Sequence, residues 1–114
     1  MLIVDDHPGF RSAARALLAA AGFDVVGEAE DGNTALRAAR ELQPEIVLLD
    51  IQLPDFDGFA VAERLSEGLA PPAIVLTSSR SAASFRWRLA HAPGWSFIPK
   101  SELSGEALAA AVGG

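Results

Sequence analysis

The run Glu45-Ile46-Val47-Leu48-Leu49-Asp50 decides the architecture. Four consecutive large apolar residues with no polar alternation read as a strand covered on both faces, which belongs in the middle of a parallel sheet. Working outward, the flanking segments alternate in type. Upstream, Asp31-Gly32-Asn33 opens a helix that runs through Leu42 and ends at Gln43-Pro44. Before it, Phe23 to Gly27 reads as a second strand. Phe10, Ala13, Ala14, Leu17, Leu18 and Ala21 recur at helical spacing after His7-Pro8, with Gly22 as a stop. Leu2-Ile3-Val4 is a short first strand. Downstream, Gln52 to Asp57 is a loop, Gly58 to about Leu69 a helix, and Ala73 to Leu76 a fourth buried strand followed by Thr77-Ser78-Ser79. Ser81 to His91 is read as a helix, Trp95 to Ile98 as a fifth strand, and Leu103 to Val112 as a last helix. Strict β-α alternation implies parallel strands joined by right-handed crossovers, a doubly wound open α/β sheet with helices on both faces.

The 114 residues suit a single domain, 1–114. Fifteen acidic and nine basic side chains leave a net charge of −6, which disfavours direct nucleic-acid binding by this segment. Without cysteine there is no disulfide framework, thiolate metal site or cysteine nucleophile. No apolar run approaches the ~20 residues of a membrane span, and acids follow the first strand at once, so a cytoplasmic location without membrane contact is expected. Eight of the nine basic residues are arginine, and the single lysine is Lys100. Such a position invites a role that needs an ammonium rather than a guanidinium.

Open parallel sheets bind ligands beyond the carboxyl ends of their strands. Asp5-Asp6 follow the first strand, Asp50 ends the third, Thr77-Ser78 the fourth, and Lys100 follows the fifth. Three carboxylates gathered on one rim need a compensating charge. With oxygen donors and no thiolate, a hard cation is implied, Mg²⁺ foremost. Mg²⁺ uses one or two carboxylates, which leaves Asp50 to act as nucleophile toward phosphorus, while Thr77 and Lys100 neutralise phosphoryl oxygens.

Four motifs in order carry a resemblance: Val4-Asp5-Asp6-His7, Leu48-Leu49-Asp50-Ile51-Gln52-Leu53-Pro54-Asp55-Phe56-Asp57-Gly58, Ile74-Val75-Leu76-Thr77-Ser78 and Phe97-Ile98-Pro99-Lys100. The chain resembles the receiver domain of two-component response regulators over essentially its whole length. The resemblance implies a flavodoxin-like sheet of order 2-1-3-4-5, with Asp50 as phosphoacceptor and Asp5, Asp6 and Asp50 as Mg²⁺ ligands. It further implies that Gln52 lends a backbone carbonyl to the metal, Thr77 is the switch hydroxyl, Phe97 the switch aromatic and Lys100 the phosphate-binding lysine. A histidine kinase is the implied donor. A homodimer or effector domain would read the state through the face of the fourth helix, fifth strand and fifth helix. Asp6-His7-Pro8 and Lys100-Ser101-Glu102-Leu103 are similar to receivers joined to LuxR-type helix-turn-helix domains, which implies transcription control in a longer protein. The pattern departs from the family where Pro99 precedes the lysine and Ser101 follows it, and in a first strand shorter than the family norm. No effector domain is expected within these 114 residues, and the start of the first strand is expected to be truncated.

Other residues read as structural or peripheral. Ser78 and Ser79 are expected to border access to Asp50, or else to cap the next helix. His7 is read as a charged neighbour of the acids, and His91 as a partner of a helix C-terminus. Asp55 and Asp57 are expected to shape their loop. Trp87, flanked by Arg86 and Arg88, lies opposite the face of Ala82, Phe85 and Leu89 and is expected to form a contact surface. The domain is expected to catalyse only its own phosphorylation and dephosphorylation, and not to be an ordinary enzyme. Two other classes compete: a hydrolase with an aspartyl nucleophile, and a phosphorylation-independent interaction module. The first usually carries Asp-x-Asp after strand one, and the second usually lacks one of the acid, threonine or lysine positions. No glycine-rich nucleotide loop is present.

Overall fold

A computed structural model describes residues 1–90 and 94–113. Five strands, β1 (Leu2–Val4), β2 (Gly27–Ala29), β3 (Ile46–Asp50), β4 (Ala73–Ser78) and β5 (Ser96–Pro99), form one parallel sheet of order 2-1-3-4-5. Five helices connect and follow them: α1 (Pro8–Ala20), α2 (Gly32–Leu42), α3 (Gly58–Ser66), α4 (Arg86–Ala90) and α5 (Gly105–Gly113). Three-ten turns at Ala82–Phe85 and Lys100–Glu102 precede α4 and α5.

The uninterrupted apolar run of β3 has a simple cause. Val47 and Leu49 point into a core shared with Leu2, Val4, Ile74, Leu76, Ala35 and Phe59, whereas Leu48 joins Ile3, Val75, Ile98, Leu18 and Leu108 on the other face. Hence α2 and α3 cover one side and α1 and α5 the other. Each fully buried leucine of these layers contributes roughly 2 kcal/mol of apolar transfer free energy. Within α1 only Ala14 and Leu18 are buried, and Phe10 is half-buried; Ala13, Leu17 and Ala21 of the expected apolar face are exposed. One helix laid on a sheet covers a narrow stripe, so the flanks of the periodic pattern stay in water.

Several element bounds differ from the sequence reading. The second strand lies at Gly27–Ala29 rather than Phe23–Gly27, because β1 offers partners only from Leu2 onward, and Leu2 is in register with Gly27. The preceding residues instead turn back from α1, with Phe23 N–H donating to Leu18 O and Val26 N–H to Met1 O. The third helix stops at Ser66, before Leu69, and the fourth begins as a three-ten turn. β4 runs two residues past Leu76, since Thr77 and Ser78 pair with Ile98 and Pro99. His91 lies outside the described residues. No helix among the described residues is long and apolar enough to cross a membrane.

Candidate functional site at the carboxyl rim of the sheet

The rim is assembled by sheet register. Asp5 continues β1 with its N–H donating to Ala29 O at 3.0 Å, and the side chain is fully buried. Asp50 is the last residue of β3, 3% exposed, and is in register with Thr77 of β4, which is also fully buried. Lys100 follows β5 directly and reaches back over the sheet. Its Nζ lies 2.6 Å from Asp5 Oδ2 and 3.5 Å from Asp50 Oδ2. The shorter contact pairs the Lys100 ammonium with Asp5 Oδ2, which has no other polar partner among the described residues. Asp6 and His7 sit at the exposed lip, with His7 Nδ1 3.0 Å from Asp6 Oδ1 and 3.1 Å from Asp5 Oδ1.

Two features of the electrostatics matter. Burial pushes the Asp50 carboxyl up to about 6; the Gln52 N–H donated to Oδ1 at 3.1 Å and the Lys100 ammonium oppose the rise, and the Asp5 charge adds to it. Such a carboxylate is still largely ionised near neutral pH and more basic than an ordinary one, which suits a nucleophile. The Thr77 hydroxyl is buried with no hydrogen-bond partner among the described residues. Buried hydroxyls are usually bonded, so this one has unused bonding capacity.

The loop after Asp50 is held from three sides. Gly58 N–H donates to Ile51 O at 2.7 Å, and a Cβ at Gly58 would lie 2.4 Å from Asp50 O and 2.6 Å from Ile51 Cα. The backbone of α3 therefore packs directly on the backbone that carries Asp50, and only glycine permits it. Asp57 caps α3 by accepting the Phe59 N–H at 2.7 Å. Asp55 accepts the Gly32 and Asn33 N–H groups at 2.7 and 3.0 Å, tying the loop to the start of α2. Against the desolvation that would raise it, the Asn33, Gly32 and Phe56 N–H groups hold the Asp55 carboxyl below its ordinary range. Both acids thus shape the loop, as their positions suggested. Gln52 is exposed beside this loop, bridged to Asp57.

One expectation at the rim needs correction. Of the two serines expected to border access, only Ser79 is exposed; Ser78 is buried as the last residue of β4, and its Oγ accepts the Arg80 N–H at 3.1 Å. Ser81 precedes the three-ten turn without a side-chain capping bond. His7 occupies the N-cap position of α1 without a side-chain cap, and Asp5 accepts the His7 N–H instead. The turn after Pro99 contains no cis peptide bond. Phe97 is half-buried, its ring 6.0 Å from Phe85, which in turn lies 6.4 Å from Phe59. Trp87 is 75% exposed, with Phe85 buried on the opposite side of the same segment.

The supporting roles of four residues escaped sequence reasoning. Arg11 donates to Asp5 O at 2.6 Å and, with Arg15, holds Glu28 in the middle of β2. Arg88 donates to Asp57 Oδ2 at 2.6 Å and lies 4.0 Å from the Phe59 ring centroid. The Phe10 ring centroid lies 4.5 Å from Lys100 Nζ. The i, i+4 spacing of Arg11 and Arg15 was visible, but its partner on β2 emerges only with the strand order.

Asp5, Asp6, His7 and Asp50 each offer a ligand atom within 4.8 Å of the others, so the cluster could hold a metal ion. With three carboxylates and a backbone-rich loop beside them, the oxygen donors fit a hard divalent cation. A cleft of about 820 Å³ lies at the opposite end, between the ends of α2 and α3 near Leu36, Arg40, Arg64 and Leu69. It gathers none of the rim's acid, hydroxyl and ammonium groups.

Comparison with known proteins agrees with this geometry. A profile of the response regulator receiver domain matches residues 1–112. A transcriptional regulator of Pseudomonas aeruginosa is 39% identical over 111 residues, covering 97% of this chain and 54% of the relative. BvgA of Bordetella pertussis, a positive transcription regulator of virulence factors, is 36% identical over 111 residues, covering 97% and 53%. The chain spans about half the length of these curated relatives. Among solved structures, the signal receiver domain of the response regulator NarL from Mycobacterium tuberculosis superposes with a TM-score of 0.82 at 31% identity, covering 99% of this chain and 95% of that one.

Proposed function

Because the chain belongs to the response regulator receiver domain family, we propose that it is a phosphorylation switch in which Asp50 accepts a phosphoryl group from a histidine kinase. The observation that carries this reading is the buried Asp50 carboxylate, 3.5 Å from the Lys100 ammonium and in strand register with Thr77, whose buried hydroxyl has no partner among the described residues. A carboxylate oxygen of Asp50 attacks phosphorus, the donor's N–P bond breaks, and its electron pair leaves on the donor imidazole. Lys100 neutralises charge on the transferred group, and Thr77 donates its unused hydrogen to a phosphoryl oxygen. Asp5, Asp6 and Asp50, with the Gln52 carbonyl, would hold Mg²⁺. When bound, Mg²⁺ supplies charge neutralisation to phosphoryl and carboxylate oxygens.

Movement of Thr77 toward the phosphoryl group would open space beside Phe97, and the contact of Phe97 with Phe85 would pass this change to α4. The α4–β5–α5 face, with Trp87 exposed on it, is the proposed readout surface toward a homodimer or an effector domain. Ser79 borders the entrance. By likeness to the transcription regulators above, the full-length protein would control transcription in the cytoplasm, with DNA binding supplied outside this segment.

Incubation with acetyl phosphate and Mg²⁺, followed by intact-mass measurement, tests the reading. One added phosphoryl group is expected, and none in Asp50→Ala. No incorporation by the parent would favour a phosphorylation-independent interaction module, and steady turnover of a phosphomonoester would favour a hydrolase. Beryllofluoride should bind only with Mg²⁺ and change the fluorescence of the parent more than that of Trp87→Phe, which retains Trp95.

A further inference from the structure

We infer that Phe10 is a positioning residue for Lys100, holding the only ammonium side chain of the protein over the acidic pocket with the face of its ring. The inference rests on the phosphorylation reading above and concerns how the lysine is kept ready. Among the described residues Lys100 Nζ meets partners of two kinds: Asp5 Oδ2 at 2.6 Å and Asp50 Oδ2 at 3.5 Å, and the Phe10 ring centroid at 4.5 Å. At rest the ammonium sits closer to Asp5 than to Asp50, the residue it must serve. Both carboxylate contacts are conditional. A divalent cation held by Asp5 and Asp50 withdraws the negative charge that attracts the ammonium, and a phosphoryl group changes Asp50 itself. The ring quadrupole is consumed by neither event, so this contact is available to the ammonium before and after both.

Placement supports this. Phe10 occupies the first turn of α1, which Arg11 ties to Asp5 O at 2.6 Å, so the ring is held against the same loop that carries the acid pair. The ring is half-buried, unlike Ala14 and Leu18 further along the helix, which lie in the core. A flexible four-carbon stem with only carboxylate partners would swing away once those partners are neutralised; a ring beside it limits that freedom. Packing alone would be served equally well by leucine.

The test separates packing from the ring face. Phe10→Leu keeps apolar volume and should slow Mg²⁺-dependent phosphorylation by acetyl phosphate by about three- to tenfold, whereas Phe10→Tyr should stay within about twofold of the parent. In a Lys100→Met background, Phe10→Leu should have no further effect, because the cation it positions is gone. Equal slowing in both backgrounds, or Tyr behaving as Leu does, would overturn the inference. If Lys100→Met does not fold, the Leu and Tyr contrast decides alone. Should the parent itself accept no phosphoryl group, the phosphorylation reading fails first. The contact is then measured by the same cycle on urea unfolding of the metal-free protein. A coupling factor of about three in the unfolding constant supports the contact, and a factor of one overturns it.

Discussion

Asp5 and Thr77 sit on the two strands that flank β3, each at the carboxyl end and each fully buried, yet their surroundings differ. The Asp5 carboxylate receives the His7 N–H on one oxygen and the Lys100 ammonium against the other, and Arg11 braces its carbonyl. The Thr77 hydroxyl has no hydrogen-bond partner among the described residues. Charge and polarity account for the contrast. A buried ion without a partner costs several kcal/mol, so the β1 side must be satisfied at rest, whereas an unbonded hydroxyl costs about 1–3 kcal/mol and can be kept. The elements that follow differ too. β1 leads into a helix of thirteen residues, while β4 leads into a four-residue three-ten turn and a five-residue helix. The β1 half holds charge in place; the β4 half keeps bonding capacity in reserve.

The comparison can be broken from below by disturbing the backbone that both halves share. Gly58→Ala forces a Cβ against Asp50 O, where neither atom belongs to a flexible side chain. The backbone must shift, and a loss of about 2–4 kcal/mol is expected, read by urea denaturation, together with loss of phosphoryl acceptance. A variant as stable as the parent would mean that α3 can retreat without disturbing Asp50.

A smaller effect concerns the charge between the two halves. The folded-state value of Asp50, about 6, lies above its ordinary 3.8. Its contribution to stability is therefore fully present below about pH 4 and is lost as pH rises through about 6. Asp50→Asn removes that loss. In the absence of divalent cations it should be more stable than the parent by about 1–2 kcal/mol at pH 7, after allowing for screening by water at the rim, and by nothing at pH 3.5. Urea titrations across this range check the sign. Adding Mg²⁺ should narrow the difference at pH 7, since a bound cation favours the ionised parent.

The smallest change sharpens the contrast itself. Thr77→Val replaces the unbonded hydroxyl by a methyl group of the same shape. Resting stability should be unchanged or higher by up to about 1 kcal/mol, because no hydrogen bond is lost. Beryllofluoride should still bind with Mg²⁺, but the fluorescence change at Trp87 should shrink. A clear loss of resting stability would show that the hydroxyl already has a partner.

The apolar run of β3, the β-α alternation and the acids, threonine and lysine after successive strands were legible because short-range chemistry governs them. Burial on both faces leaves only apolar residues in a central strand, and ligands gather where parallel strands end. The loop role of Asp57 was readable for the same reason, since a short acid before a helix accepts its first N–H groups, whereas the partners of Asp55 on α2 lie more than twenty residues upstream. Tertiary structure decided the rest. The second strand moved to Gly27–Ala29 because pairing with β1, not local propensity, sets its register. Ser78 became buried because β5 extends its pairing to that residue. Phe10 followed the apolar period of α1, and nothing along the chain distinguishes a ring that packs from a ring beside an ammonium ninety residues later. Periodicity specifies which way a side chain points from its own element. What it meets there depends on long-range packing, which only the assembled sheet and helices establish.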